Sequence, residues 1–223
     1  MIGGLRDWAD RYRSRGKYTP VGVAFHWVMA GVVLYQLFTG WMMQRNLVGA
    51  DKLEAYADHS EVGLALLLLG VLRLVWRLML PGPINDADRM GWRSRVAHAM
   101  HATFYALFTV LPLSGWVMWS AIQPPRALYL AGVVPIPAMP FQTLSTAWQY
   151  RLLDAAEDVH AAGIVLLTLL VPVHAFAALK HHFWDRNDVL EGILPEVPDD
   201  FGHPSGAHYS PREAPAPPRA DGG

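Results

Sequence analysis

The sequence predicts an all-α integral membrane protein, a four-helix bundle with both termini in the cytoplasm. Three observations carry this reading: four long apolar stretches, basic residues gathered on one side of them, and histidines recurring at two depths. Of the 223 residues, 52% are hydrophobic. The apolar stretches are residues 21–43, 62–80, 96–122 and 159–179, and crossing a bilayer as a helix takes roughly 20 apolar residues. The first and fourth contain no Asp, Glu, Lys or Arg, and the second carries Arg73 and Arg77 at its far end. The first is too long, and lacks a small-residue cleavage site, to read as a removed signal peptide. Four spans put the N-terminus, the middle loop and the C-tail on one side, with 14 of the 18 Lys and Arg residues. By the positive-inside rule that side is the cytoplasm.

Residues 1–20 are a basic lead-in whose Arg and Lys suit anionic headgroups. Pro20 fits the first turn of a helix. His26 lies five residues beyond Val21, about 8 Å inside the inner end of the first span. Residues 44–61 read as a short outer connection, and His59 stands at the outer mouth of the second span. Proline at 81 and 83 ends that span sharply. Arg73 and Arg77 share a helix face. Snorkelling to the inner headgroups accounts for them, and pairing with the acidic groups of a buried cofactor is the alternative.

The third span opens with His98 and His101 at the inner side and closes with Pro112, Ser114 and Gly115, which permit a bend and close packing. Trp116 and Trp119 approach the outer interface, where tryptophan is common. Residues 123–158 read as a long outer loop, too apolar for a free linker, lying over the bundle as a lid. Residues 195–223 are rich in Pro, Gly and Ala and read as a disordered tail.

The fourth span contains His160 and His174, 14 residues apart. On a helix that is about 21 Å of rise and an angular offset of about 40°, so both imidazoles face one side at opposite ends of the span. Intramembrane histidines are costly and mark functional sites. With spans alternating up and down, His26 and His174 share the inner depth, and His59 and His160 the outer. Each pair draws on two helices, as bundle cofactor sites do. Two neutral imidazoles facing each other suit the two axial positions of haem iron. The chain has no cysteine, so a haem here is held non-covalently, and disulfides and iron–sulfur clusters are excluded. Two alternatives stay open on spacing alone. His98 and His101 also lie at the inner depth, as substitute ligands or as part of a zinc site with His26 and His174. The histidines of a non-redox membrane protein would merely bond neighbouring helices.

Several of these residues stand in recognisable strings: K-Y-T-P…H-W at 17–27, His59, R-L-V-W-R-L…P at 73–81, and H-x-x-H…Y…L-P-x-x-G at 98–115. The fourth span adds H-A-A-G at 160–163 and H-A-x-A-A-L-x-H-H at 174–182, with Asp185 after it. In combination, across roughly residues 17–195, they resemble the bacterial cytochrome b561 family, four-helix di-haem cytochromes of the inner membrane. The resemblance implies two haems b, with axial ligands His26 and His174 at the inner site and His59 and His160 at the outer, and not His98 or His101. It implies electron transfer between the periplasmic side and membrane ubiquinone, with superoxide as a donor that some members oxidise. Lys17 and His181 are then the candidates for quinone contact. Arg126 and Arg151 in the outer loop are candidates for drawing an anion. The related alternative is a haem-bearing membrane anchor that passes electrons from a periplasmic oxidoreductase. The lead-in, the tail and part of the loop before His160 lie outside the resemblance.

Overall fold

A computed structural model describes residues 2–45, 47–80, 82–83, 91–123, 126–130, 132–185 and 190–195. Helix α1 (Ile2–Arg13) precedes four long helices: α2 (Pro20–Arg45), α3 (Gly49–Met79), α4 (Trp92–Ser120) and α5 (Thr146–Phe183). Each of the four contains a window apolar enough to cross a membrane, with mean hydropathy from 1.3 to 2.2. Their outward faces carry exposed apolar side chains such as Phe38, Leu68, Val165 and Phe176. In water such a surface would drive aggregation, and in lipid it is the expected exterior. The chain is a multi-pass membrane helical bundle.

Local chemistry sets the inner ends. Thr19 caps α2: its Oγ1 accepts the Gly22 N–H at 3.3 Å and its carbonyl accepts the Val23 N–H at 3.0 Å. Pro20 follows at a position where no N–H is needed. The same Thr19 hydroxyl accepts the Trp76 indole N–H at 3.2 Å, which ties the start of α2 to the end of α3. A short turn of 3-10 helix, Glu191–Ile193, returns to this end. Its Gly192 carbonyl accepts the Tyr18 N–H, and its Ile193 carbonyl accepts the Trp27 indole N–H.

Helix α2 packs on α3, α3 on α4, and α4 on α5. Among the described residues the α2–α5 seam is not one of these close pairings. At mid-height Met29, Val33, Leu66, Leu107 and Leu167 form a buried apolar layer, with Phe104, Phe108 and Leu111 packed against it. Gly163 brings α5 onto α4 here: a Cβ at that position would stand 2.8 Å from Leu111 Cδ2.

Two helices begin earlier than the apolar stretches do. Helix α3 starts at Gly49, so most of the expected outer connection is helical. Helix α5 starts at Thr146, so residues 146–158 of the expected loop are helix too. Both extensions carry charges that end the apolar run without ending the helix. Leu53, Tyr56 and Ala57 keep the i, i+3, i+4 spacing of an apolar face. They pack against a second buried cluster of Leu64, Trp119 and Leu128. What remains of the loop holds a β-hairpin, β1 (Leu128–Leu130) and β2 (Val134–Ile136), in antiparallel register Leu128 with Ile136. The hairpin is tied down by Tyr129 N–H to Glu61 Oε1 and Met139 N–H to Ser120 Oγ. The tail from residue 196 on lies outside the described residues, as do Arg89 and Arg186 of the basic count.

Candidate functional site

The histidines on α5 face partners at two levels. At the outer level the His59 and His160 ring centres stand 6.4 Å apart, and at the inner level those of His26 and His174 stand 6.2 Å apart. The separation tests a metal between them. A metal–imidazole bond of about 2.0 Å, with about 1.1 Å from nitrogen to ring centre, puts two imidazoles on opposite sides of one ion about 6.2 Å apart. Both pairs match this spacing. The seam they bridge involves α2 or α3 against α5, and α2–α5 is the loosely packed side. The spacing of each pair therefore fits an iron ion held between two imidazoles.

Hydrogen bonding at the outer level leaves the right nitrogen bare. His160 Nδ1 lies 3.1 Å from the Leu111 carbonyl and 2.9 Å from Ser114 Oγ. A carbonyl only accepts, so Nδ1 carries the proton and Nε2 keeps its lone pair. Ser114 donates its own proton to the Leu111 carbonyl at 2.9 Å, so it too accepts from His160. His59 repeats the arrangement. Its Nδ1 lies 3.1 Å from Thr39 Oγ1, whose proton goes to the Gln36 carbonyl at 3.3 Å. With that proton on Gln36, Thr39 can accept from His59 Nδ1–H, and the tautomer that donates there leaves Nε2 bare. Such partners fix the tautomer and orientation of metal-binding histidines. Gln36 also donates to the His59 carbonyl at 2.8 Å, locking α2 to α3 at this height. Two glycines let the rings lie against backbone: a Cβ at Gly40 would stand 3.4 Å from His59 Cε1, and one at Gly115 would stand 3.5 Å from His160 Cε1.

The inner level is built differently. Arg73 Nη2 lies 3.3 Å from His26 Nδ1; a guanidinium can only donate, so this contact puts the proton of the neutral ring on Nε2, the reverse of His160. The His174 ring is held by ring edges from α4, with His101 at 5.8 Å and Phe104 at 5.4 Å between centres. His98 is turned to the start of its own helix, where its Nδ1–H donates to the Ser94 carbonyl at 2.7 Å. Among the described residues no group of three or more His, Cys, Asp and Glu is arranged to hold a metal ion. The zinc reading therefore finds no cluster, and His98 stands apart from the inner pair.

His181 lies in the last turn of α5 and donates through Nδ1 to Asp185 Oδ2 at 2.7 Å, with Lys180 Nζ on the same carboxylate at 3.0 Å. The Lys180 hydrogen bond first, then that from His181, holds the Asp185 carboxyl below its ordinary 3.8. The folded value is depressed, so this contribution is present above the unfolded value and is lost as pH falls through the folded one. A titration of Asp185 by NMR in detergent is expected to give a midpoint below 3.8; a midpoint at or above it contradicts the assignment. Lys17 sits in the α1–α2 connection, where its N–H donates to the Tyr12 carbonyl at 3.0 Å and its Cα lies near Gly192.

At the outer end, the Arg126 carbonyl accepts the Trp119 indole N–H at 3.0 Å. Arg126 also lines an open cleft of about 670 Å³ with Leu53, Glu54, Trp119 and Tyr129. Arg151 lies over the Trp148 ring at 5.4 Å, a common surface arrangement. Sequence reasoning did not single out Thr39 or Phe104 and weighed Ser114 only as a packing residue. Nothing local distinguishes a hydroxyl that serves its own helix from one that also serves a histidine on another.

The sequence model described as prokaryotic cytochrome b561 matches residues 17–196. Cytochrome b561 homolog 2 of Escherichia coli (strain K12) is 30% identical over 193 residues, covering 83% of this chain and 95% of that protein. Cytochrome b562 of Cereibacter sphaeroides is 26% identical, covering 78% of this chain and 92% of its own length. The probable superoxide oxidase CybB of Yersinia pestis is 23% identical, with 81% and 97% covered.

Proposed function

This chain belongs to the prokaryotic cytochrome b561 family, whose members are haem-b electron carriers of membranes, and on that premise we propose that it conducts electrons across the bilayer through two haems b. The observation that carries this is the pair of facing histidine couples at two levels of α5, 14 residues apart. His59 and His160 hold the outer group, and His26 and His174 the inner. A haem held by both imidazoles of a pair would supply a one-electron iron couple there. The buried layer of Met29, Val33, Leu66, Leu107 and Leu167 keeps water from the space between the two levels. The termini face the cytoplasm, so the inner level adjoins the basic side.

The proposed donor is superoxide on the outer side, and the proposed acceptor is ubiquinone at the inner side. Lys17 and His181 are the quinone contacts in this reading. With its Nδ1–H on Asp185, His181 presents Nε2 to a ligand, a position from which a proton can be exchanged with a quinone oxygen. Arg126 in the outer cleft is the candidate cation for the donor. A second reading has specific support. The exposed outer rim carries Asp51, Glu54, Asp58, Asp154, Glu157 and Asp158, and the hairpin exposes Val133 and Val134. Acidic charge opposes an incoming anion, and an apolar hairpin suits a protein donor, as expected for a membrane anchor of a periplasmic oxidoreductase.

One experiment decides between them. Purified haem-loaded protein is mixed with a superoxide-generating system and a short-chain ubiquinone, and both superoxide decay and quinol formation are followed. Faster decay matched by quinol formation supports the oxidase. Unchanged decay, with the haems still reducible by quinol, removes superoxide as donor and leaves the anchor reading.

A further inference from the structure

We propose that α1 lies flat in the inner headgroup layer and holds anionic phospholipid through arginines on both borders of its apolar face. The inference is independent of the haems, and α1 lies outside residues 17–196, the part that the family model matches. At about 100° per residue on a helix, Leu5, Trp8, Ala9 and Tyr12 of α1 fall within an arc of about 100°. Arg6 and Arg13 border that arc on one side and Arg11 on the other, while Asp7 and Asp10 take the opposite face. Arginines at such a border lay their stems on apolar surface and put their guanidiniums among phosphates. The two acids, farthest from the lipid, stay in water. A helix docked wholly on protein needs no such ordering of charge, and a helix lying in the membrane interface does. Trp8 and Tyr12 meet edge to face at 5.3 Å, and both are side chains that favour the membrane–water boundary.

The connection to α2 fixes the level. The Lys17 N–H donates to the Tyr12 carbonyl at 3.0 Å and the Gly16 N–H to the Arg13 carbonyl at 3.1 Å, with Gly16 at φ 73°. This is the hydrogen-bond pair of a Schellman cap. Residues 14–19 alone join α1 to α2, a reach of about 20 Å at most. The Gly192 carbonyl holds the Tyr18 N–H within that connection. So α1 stays beside the inner end of the bundle. The chain covers only part of its apolar face: Ala9 is buried, whereas Leu5, Trp8 and Tyr12 are half-buried. A helix this short is marginal unless that face is covered, and the lipid around the bundle is the cover at hand. Arg6, Arg11 and Arg15 are exposed, and among the described residues no ion pair occupies them. Residues 1–17 hold five basic and two acidic side chains, an excess that selects anionic over zwitterionic headgroups.

The test uses the full chain, loaded with haem, in lipid nanodiscs. The chain has no cysteine, so Leu5→Cys or Asp10→Cys places a single nitroxide label on either face of α1. Relaxation by oxygen, which concentrates in lipid, is compared with relaxation by a water-soluble nickel chelate. With equal parts phosphatidylglycerol and phosphatidylcholine, oxygen is expected to dominate at Leu5 and the chelate at Asp10. Phosphatidylcholine alone, which needs no further substitution, should reverse the preference at Leu5. Combined Arg6→Gln, Arg11→Gln and Arg13→Gln should reverse it in the mixed lipid too, with haem content unchanged, and lysine at the same three positions should restore it. A Leu5 label shielded from both reagents in either lipid would mean that α1 docks on the bundle, and overturns the proposal. So does a label that prefers the chelate throughout, or one that prefers oxygen whatever the lipid charge and whatever stands at the three positions.

Discussion

Changing His160 to alanine is expected to lower the haem content from two per chain to one, and His59→Ala is expected to remove the same haem. The two rings stand 6.4 Å apart on α5 and α3. His160 spends its Nδ1 proton on the Leu111 carbonyl, and His59 Nδ1 lies against Thr39 Oγ1. Losing either would leave one imidazole where two hold the group, and among the described residues nothing else at the outer level would replace it. Thr39, Ser114 and Gln36 are the neighbouring polar groups, and none is an iron ligand of comparable strength. Pyridine haemochrome analysis against protein concentration reads the result as a halving. The double variant should match the singles, because both remove one site. A variant retaining two haems, or a double variant with none, contradicts the pairing.

His174→Ala is expected to remove the other haem and abolish electron transfer to added ubiquinone, whereas His101→Ala keeps both haems. His101 is nearer to His174 than His26 is, at 5.8 Å against 6.2 Å, so distance alone favours the wrong residue. Packing argues for His26 instead. Helices α4 and α5 pack closely, with Leu111 against Gly163. A macrocycle between His101 and His174 would have to part them. The α2–α5 side is open by comparison. His101→Ala is instead expected to change the low-spin electron paramagnetic resonance signal of the inner haem, since the His174 ring plane loses one of its two walls. Loss of haem in His101→Ala, with His26→Ala retaining two, would reassign the ligand.

The bundle was legible because lipid leaves a simple imprint: four apolar stretches long enough to span. The depth of each histidine followed from counting along them. What hydropathy misses is helix that continues into water. Residues 49–61 and 146–158 carry Asp51, Glu54, Asp154 and Glu157, which end the apolar run, yet Leu53, Tyr56 and Ala57 hold a packed face. His59 therefore lies well inside α3 rather than at its mouth. The residues around the histidines were the least legible. Thr39 bonds a carbonyl one turn back, as membrane threonines commonly do, and only the fold shows that its hydroxyl also meets His59. Arg73 reads from the sequence as snorkelling or as pairing with acidic groups of a cofactor, and only the fold shows that it reaches His26. The link between His181 and Asp185 is a plain i, i+4 spacing whose use depends on where α5 stops.

The central claim is two haems in one chain, one at each level. Its most direct test is the haem content of the purified wild-type protein, determined by pyridine haemochrome with protein quantified by amino-acid analysis. The account expects two haems b per chain, both low-spin. One haem per chain, or none in folded protein, would contradict it.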